Sequence, residues 1–236
     1  MNPTEKFPDG GLAVVVGTGG IGQAMIEQLD RKDWFDQVMG LSRSSDPAID
    51  ITVEDSVVRA AEVVAAHPLD LRLVFDATGF LHDEDFMPEK SWRQIDPKHM
   101  AHAFAVNAIG PVLLMKHFLP LLPRSGKSVF ATLSARVGSI GDNRLGGWYS
   151  YRASKSALNQ LVRTAAIELR RSAPEAICVA LHPGTVDTSL SKPFGKSGLN
   201  VRSPETAASE ILSVIDNLRA GDSGRFFDHQ GQSVPW

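Results

Sequence analysis

The sequence predicts an α/β fold in which a doubly wound parallel sheet forms a single domain. Short apolar runs alternate with longer amphipathic segments along the chain, as in strands that are joined by crossover helices. The runs are almost continuously apolar, which is typical of strands covered on both faces. The 236 residues suffice for one large domain, and no internal repeat or linker divides positions 1–236.

Hydrophobic periodicity assigns the elements in chain order. Strands are predicted over residues 12–16, 38–41, 49–51, 71–77, 129–133, 177–181 and 225–227. Helices are predicted over residues 21–29, 57–66, 99–119, 150–171 and 204–218. Chain breaks at Gly79, Ser134 and Pro183-Gly184 follow strands, so we expect them to meet in one cleft at the carboxyl edge of the sheet.

Composition restricts the class of protein. Hydrophobic residues make up 43% and charged residues 22%, which is ordinary for a globular protein. The formal net charge of −3 predicts no nucleic-acid partner and no attraction to an anionic membrane. The single cysteine, Cys178, is consistent with a reducing compartment. With no signal-peptide pattern and no apolar run of about 18 residues, we expect a cytoplasmic protein.

The first predicted strand ends at a glycine-rich turn, Gly17-Thr18-Gly19-Gly20-Ile21-Gly22, which opens the first helix. Glycines let the backbone approach a pyrophosphate, and the helix N-terminus favours its negative charge. A turn without a ligand is the alternative, but the position between strand and helix favours a dinucleotide site.

The end of the second strand indicates which dinucleotide binds. An acidic residue there would accept hydrogen bonds from the ribose 2′-hydroxyl of NAD. The chain instead has Ser42-Arg43-Ser44, and a guanidinium between hydroxyl groups suits a 2′-phosphate. We therefore predict NADP(H) in preference to NAD(H), with a solvated surface arginine as the alternative.

Tyr151 and Lys155 lie four positions apart on a predicted helix and therefore share one face. A cation beside a phenol favours phenolate, so we expect Lys155 to lower the pKa of Tyr151 from its usual value near ~10. The pair predicts a group that transfers a proton. The alternative is a half-buried tyrosine whose hydroxyl contacts water.

Together these motifs resemble the short-chain dehydrogenase/reductase family over nearly the whole chain. The resemblance rests on the glycine-rich turn and on Asp50-Ile51, Ala77-Thr78-Gly79, Asn107, Ser134, Tyr151 with Lys155, and Pro183-Gly184-Thr185-Val186-Asp187-Thr188. Residues 134–143 and the ending Pro235-Trp236 are similar to the C-factor-like branch. The family implies a Rossmann-type domain and a homodimer or homotetramer.

The resemblance implies hydride transfer between the nicotinamide and a carbonyl or secondary alcohol, with Tyr151 as acid/base. Lys155 would bind the nicotinamide ribose and lower the pKa of Tyr151. Ser134 would hydrogen-bond the substrate oxygen, with Ser139 as the alternative, and Asn107 would hold a water that links Lys155 to solvent. Cofactor contacts are implied for Asp50 and Ile51 at the adenine, for Ala77, Thr78 and Gly79 along the cofactor, and for Pro183, Gly184, Thr185, Val186 and Thr188 at the nicotinamide.

The chain departs from the family pattern in three places. The glycine-rich turn is one residue short, Thr78 stands where Asn is frequent, and the interval from Ser134 to Tyr151 is long. Residues 142–147 are expected to form a loop over the pocket. Substrate loops are predicted at about 80–98, 135–149 and 187–203.

Scattered histidines and aromatic residues complete the prediction. His99 and His102 have helical spacing but no apparent carboxylate partner, so we expect no metal site. His182 is expected to be a packed, hydrogen-bonded histidine, with a second acid as the alternative. The aromatic residues Phe80, Trp148 and Phe194 follow strand ends, where they either face the cleft and favour an apolar carbonyl substrate or cover the sheet.

The sequence thus predicts an NADP(H)-dependent oxidoreductase that acts on a small carbonyl or alcohol. The alternative is an NADP(H)-binding sensor or C-factor-like signalling protein that does not turn over a substrate.

Overall fold

The computed structural model of the protein describes residues 6–191, 194 and 201–236. Its main sheet has six strands in the order β2-β1-β3-β4-β5-β8, and all neighbouring strands are parallel. The strands are β1 (Leu12–Val16), β2 (Gln37–Leu41), β3 (Leu71–Asp76), β4 (Ser128–Leu133), β5 (Ala176–His182), β6 (Thr185–Val186), β7 (Val201–Arg202) and β8 (Phe226–Asp228). Strands β6 and β7 pair separately.

Helices cover both faces of the sheet, which confirms the doubly wound α/β prediction. They are α1 (Gly20–Asp30), α2 (Glu54–Ala65), α3 (Pro97–Phe104), α4 (Gly110–Phe118), α5 (Tyr149–Ser172) and α6 (Pro204–Asn217). Alternate strand residues divide between the two faces: Ala13 and Val15 pack with α1 and α6, whereas Val14 and Val16 pack with α2, α4 and α5.

One predicted strand is wrong. Residues 49–51 form no strand, although Ile49 and Ile51 are buried in the core. The backbone N–H of Ile49 donates to Ser42 O at 2.8 Å, and that of Asp50 donates to Ser56 Oγ at 2.9 Å. Hydrogen bonds to a turn carbonyl and to a serine side chain therefore replace those of a strand ladder. The apolar run reflects only the burial of Ile49 and Ile51. The other predicted elements are present, with ends that differ by at most three residues.

Helices α3 and α4 are joined through a π-helical segment, Ala105–Ile109. The continuous helix Pro97–Leu121 is long and apolar enough to cross a membrane by length and composition, with a mean hydropathy of 1.4 over 18 residues. Leu114, Met115 and Phe118 are buried in the core of the domain, and their packing accounts for much of this apolar character.

Candidate active site

The glycine-rich turn is shaped by contacts that exclude side chains. Gly17 has a φ of +88°, in the left-handed region that favours glycine, and its N–H donates to Leu41 O at 2.8 Å. A Cβ at Gly22 would lie 1.7 Å from Gly17 O, so only glycine fits there. A Cβ at Gly19, just before α1, would meet no atom within 4 Å. The shortened turn thus still presents an open helix N-terminus.

A cleft of about 1040 Å³ lies at the carboxyl edge of the sheet beside this turn. It gathers a large share of the residues predicted to bind a dinucleotide. Those that line it are Gly17, Thr18, Gly19, Ser42, Arg43, Ser44, Asp50, Ile51, Ala77, Thr78 and Gly79. Cavities of about 990 Å³ at α6 and about 580 Å³ between α4 and α5 contain none of the predicted residues.

Other predicted cofactor residues do not line the cleft. Gly20, Ile21 and Gly22 form the first turn of α1, and Pro183, Gly184, Thr185 and Val186 follow β5. Thr188 lies against α1, since a Cβ at Gly20 would come within 2.8 Å of Thr188 Cγ2. Residues 192–193 and 195–200 of the predicted third substrate loop lie outside the described residues.

The end of the cleft that follows β2 carries both signs of charge. Arg43 is exposed between Ser42 and Ser44, whose Oγ atoms are 3.1 Å apart. Hydrogen bonds from Thr52 lower the pKa of Asp50, and the Arg43 charge adds to this effect. The carboxylate is therefore ionised at neutral pH and shares the cleft with the guanidinium.

Tyr151 and Lys155 lie on the buried face of α5, as the spacing predicts. Tyr151 is 9% exposed, and its phenolic oxygen has no hydrogen-bond partner among the described residues. Lys155 Nζ donates to Leu133 O at 2.7 Å. It would lie 3.8 Å from a Cβ at Gly79. Because Gly79 lines the cleft, the ammonium lies beside it, although neither Tyr151 nor Lys155 is part of its lining.

The pKa of Tyr151 differs from the sequence expectation. Burial raises this pKa above its usual value, because desolvation disfavours phenolate. The prediction that Lys155 lowers the pKa is therefore wrong for this structure. Burial also lowers the pKa of Lys155 to about 8.

The two candidate serines differ in what their hydroxyl groups contact. Ser134 Oγ donates to Asn159 Oδ1 at 2.7 Å, and both side chains are buried. Ser139 Oγ accepts a hydrogen bond from Asp142 N at 3.1 Å. The proton of Ser134 is therefore used inside the protein, whereas Ser139 acts only as an acceptor in its bond to Asp142.

Asn107 lies in the π-helical segment, and its side-chain amide joins two parts of the site. Its Oδ1 accepts from Phe80 N and its Nδ2 donates to Phe80 O, both at 2.8 Å. Nδ2 also donates to Ser154 Oγ at 3.1 Å, and Ser154 Oγ donates to Tyr151 O. The amide thus ties the chain after β3 to α5. That Asn107 holds a water for Lys155 stays a prediction.

The three predicted aromatic residues separate into two groups. Trp148 contacts Tyr151 and Phe194, with ring centroids 6.2 Å and 5.2 Å apart. Phe80 instead packs edge-on against His102 at 4.4 Å. Trp148 therefore lies beside the candidate acid/base with Phe194 against its indole, and Phe80 packs with the histidines of α3.

His182 is packed at the end of β5, but within the described part of the chain it is not hydrogen-bonded as expected. Its buried Nδ1 has no hydrogen-bond partner among the described residues. Burial lowers the pKa of His182 to about 4, helped by the neighbouring His229. The imidazole is therefore neutral at physiological pH.

Two sequence similarities identify the family to which the chain belongs. A family model described as enoyl-(acyl carrier protein) reductase matches residues 18–209. The "1-hydroxy-2-glutathionyl-2-methyl-3-butene dehydrogenase" of Rhodococcus sp. (strain AD45) is 31% identical over 191 residues, which are 81% of this chain and 80% of that protein. The chain belongs to the short-chain dehydrogenase/reductase family of oxidoreductases.

This short-chain dehydrogenase/reductase has two further similarities, one in sequence and one in structure. The "C-signal" of Myxococcus xanthus is 40% identical over 143 residues, which are 60% of this chain and 81% of that protein. An NADPH-bound carbonyl reductase from chicken fatty liver superposes with a TM-score of 0.84 at 24% identity, and covers 98% of this chain and 96% of that structure. The latter likeness confirms the fold.

This short-chain dehydrogenase/reductase buries a carboxylate that the sequence analysis missed. Asp76 ends β3 and is fully buried. It accepts hydrogen bonds from Thr132 Oγ1 and Thr78 Oγ1, each at 2.6 Å. Burial raises the pKa of Asp76, and the negative charge in turn opposes the lowering of the Lys155 pKa. The feature of the sequence that could have revealed this site is an acidic residue at the end of an otherwise apolar strand.

A second missed carboxylate corrects the view of His99. Glu89 is 2% exposed, and its Oε1 lies 3.5 Å from His99 Nδ1. Ser150 Oγ also donates to Glu89 Oε1. The histidine therefore has a carboxylate partner, contrary to the sequence analysis, because residues in the loop before α3 fold back against it. Within the described part of the chain, no three potential metal ligands gather at one site.

Proposed function

We propose that this protein interconverts a carbonyl compound and its secondary alcohol with NADP(H), and that Tyr151 is the acid/base. One observation carries the proposal: a buried phenol, with no hydrogen-bond partner among the described residues, lies one helical turn from an ammonium group beside the cleft. A free donor beside a cation is what proton transfer to a carbonyl oxygen requires.

The cleft fits the cofactor chemically. The open backbone before α1 suits a pyrophosphate, and Arg43 with Ser42 and Ser44 suits a 2′-phosphate. Asp50 lies in the same cleft, where it would accept hydrogen bonds from adenosine hydroxyl or amino groups. The NADPH in the chicken carbonyl reductase supports this choice of cofactor.

NADPH supplies the hydride when it is bound. Tyr151 then gives its proton to the carbonyl oxygen, and Lys155 contributes positive charge beside it. Because burial raises the pKa of Tyr151, the phenol stays protonated at physiological pH. A protonated phenol suits reduction, in which the residue acts as an acid.

We place the donor that polarises the carbonyl at Ser139 rather than Ser134. The Ser134 hydroxyl would have to leave the buried Asn159 amide before it could bind a substrate oxygen. The Ser139 hydroxyl keeps its bond from Asp142 N while it donates elsewhere.

Oxidation of NADPH with a panel of ketones, aldehydes and quinones tests the proposal. Tyr151→Phe should bind NADPH normally and lose roughly a hundredfold or more in turnover. Tyr149→Phe is the matched control, since Tyr149 begins the same helix, and it should keep its activity.

Similarity to the protein named C-signal favours a second candidate, an NADP(H)-binding signalling protein. Binding of NADPH without oxidation by any carbonyl compound would favour that function and overturn ours.

A further inference from the structure

Three rings form a row that leads away from the candidate acid/base. Trp148 meets the Tyr151 ring at an interplanar angle of 67°, and Phe194 meets Trp148 at 66°. His82 continues the row, with its ring centroid 5.2 Å from that of Phe194. We call Trp148, Phe194 and His82 the aromatic row. Edge-to-face packing of this kind joins the rings into one largely apolar surface beside Tyr151.

Trp148 holds its place in the row at a cost in backbone strain. Its φ of 52° and ψ of 46° lie in the left-handed region, which a bulky side chain rarely adopts. Such a conformation persists only where its surroundings impose it, and it occurs preferentially at functional sites. The strained residue directly precedes the helix that carries Tyr151.

The contacts that impose this conformation come from two sides. Trp148 N donates to Glu89 O at 2.5 Å, and Trp148 O accepts from Arg152 N at 2.8 Å. The Arg152 guanidinium donates to three more carbonyl oxygens of the preceding chain, those of Val137, Gly146 and Gly147. The backbone of Trp148 is therefore held in this conformation before any substrate binds, and the indole packs against Tyr151 and Phe194.

The cationic side chains of α5 near Trp148 donate their hydrogen bonds within the protein. The Arg152 guanidinium donates to backbone carbonyl oxygens, and Lys155 Nζ donates to Leu133 O. His182 is neutral because burial lowers its pKa to about 4. Asp83 lines the adjoining cleft and would repel a carboxylate, whereas Arg43 of the same cleft is assigned to the 2′-phosphate of the cofactor.

We propose that Trp148 determines substrate specificity by selecting neutral aromatic carbonyl compounds, an inference that rests on the proposed function. A flat aryl group would pack against the indole while its carbonyl oxygen faces Tyr151. A saturated ring of equal size would lose the ring–ring contact, and an anionic aryl compound would bury its carboxylate against apolar rings.

Three methyl ketones test the inference: acetophenone and 1-cyclohexylethanone, which are matched in size, and the anionic 4-acetylbenzoate. We expect kcat/KM for acetophenone to exceed that for the cyclohexyl ketone roughly twofold to tenfold. The carboxylate should be at least roughly tenfold poorer than acetophenone. Equal values for all three ketones would overturn the inference and leave the proposed function intact.

Variants assign the preference to Trp148. Trp148→Leu should abolish the preference for acetophenone over the cyclohexyl ketone, and Trp148→Phe should keep most of it. Trp92→Leu removes a tryptophan that is 69% exposed and should change nothing. A preference that survives in Trp148→Leu would show that another residue selects the substrate. Should Trp148→Leu fail to fold, Phe194→Leu, which weakens the same row, should reduce the preference.

A binding measurement separates this inference from the proposed function. Calorimetric titration of the wild-type protein with each ketone, in the presence of NADP⁺, requires no turnover. Preferential binding of acetophenone without any NADPH oxidation would refute the oxidoreductase proposal and support the role of Trp148. Turnover with no preference in binding or in kcat/KM would do the reverse.

Discussion

The carboxylate of Glu89 caps the helix that carries Tyr151. Glu89 Oε2 accepts a hydrogen bond from Ser150 N at 3.2 Å, and Oε1 accepts one from Ser150 Oγ. Trp148, at the usual capping position, provides no side-chain cap. A residue distant in sequence thus satisfies the first turn of α5, and its negative charge is favourable at a helix N-terminus.

Removal of this cap should destabilise the protein. Glu89→Ala leaves the buried Ser150 groups without an acceptor, and we expect the free energy of unfolding to fall by about 1–3 kcal/mol. Glu89→Gln keeps an acceptor and should cost less. Urea denaturation measures both, with Glu84→Gln as an exposed control in the same loop. An Ala variant as stable as the wild type would show that the cap is dispensable.

The serines should separate stability from catalysis. Ser134→Ala leaves Asn159 Oδ1 without its donor, so we expect a loss of about 1–3 kcal/mol in the free energy of unfolding with turnover largely kept. Ser139→Ala should lower kcat roughly a hundredfold, as the loss of one polarising donor does. Denaturation curves and steady-state kinetics of the two variants give the answer. The opposite pattern would restore Ser134 as the donor.

Lys155 should set the alkaline limit of activity. Because its pKa is about 8, the ammonium charge is lost as the pH rises through that value, and kcat/KM should fall. The Tyr151 pKa is raised, so the phenol keeps its proton in this range. Asp76→Asn removes a charge that supports the ammonium and should move the fall to lower pH. A pH profile of the variant beside that of the exposed control Asp55→Asn tests this.

Lys155 should also make the free energy of unfolding depend on pH. The folded pKa of Lys155 lies below its unfolded value near ~10.4, so the unfolded chain binds more protons between about pH 8 and that value. The contribution of Lys155 should therefore destabilise the fold below pH 8 and be relieved as the pH rises. Lys155→Met should flatten this part of a plot of unfolding free energy against pH. An unchanged slope would place the Lys155 pKa elsewhere.

Arg43 should control the choice of cofactor. Arg43→Ala removes the guanidinium beside Ser42 and Ser44, and we expect the Kd of NADPH to rise about tenfold or more. The Kd of NADH should change little. Fluorescence titration measures both, and Arg59→Ala, an exposed arginine on α2, is the control. Equal weakening of the two cofactors would show that Arg43 does not read the 2′-phosphate.

Local patterns in the sequence predicted the sheet and its helices because strands and helices have distinct apolar periods. The strand predicted over residues 49–51 was wrong because Ile49 and Ile51 are buried through turn contacts rather than strand pairing. The Tyr151–Lys155 spacing correctly placed both side chains on one helix face.

Tertiary contacts were beyond the reach of the sequence. Nothing in the spacing of Glu89 and Ser150, 61 residues apart, indicates that they meet. The pKa of Tyr151 depends on how deeply the folded chain buries it, and the sequence showed only that Lys155 is near. The bond between Ser134 and Asn159 also required the folded α5 to be seen beside β4.

The π-helical segment Ala105–Ile109 interrupts one long helix and changes the direction of the side chains that follow it. Each residue turns an α-helix by about 100°, so a wider turn resets the direction of every side chain after it. Within this segment, the Asn107 amide is directed at Phe80 and Ser154. Beyond it, Leu114 and Phe118 are directed into the core. Deletion of one residue from this segment would rotate the side chains that follow it by about 100°. Either the hydrogen bonds of Asn107 or the burial of Leu114 and Phe118 would then be lost.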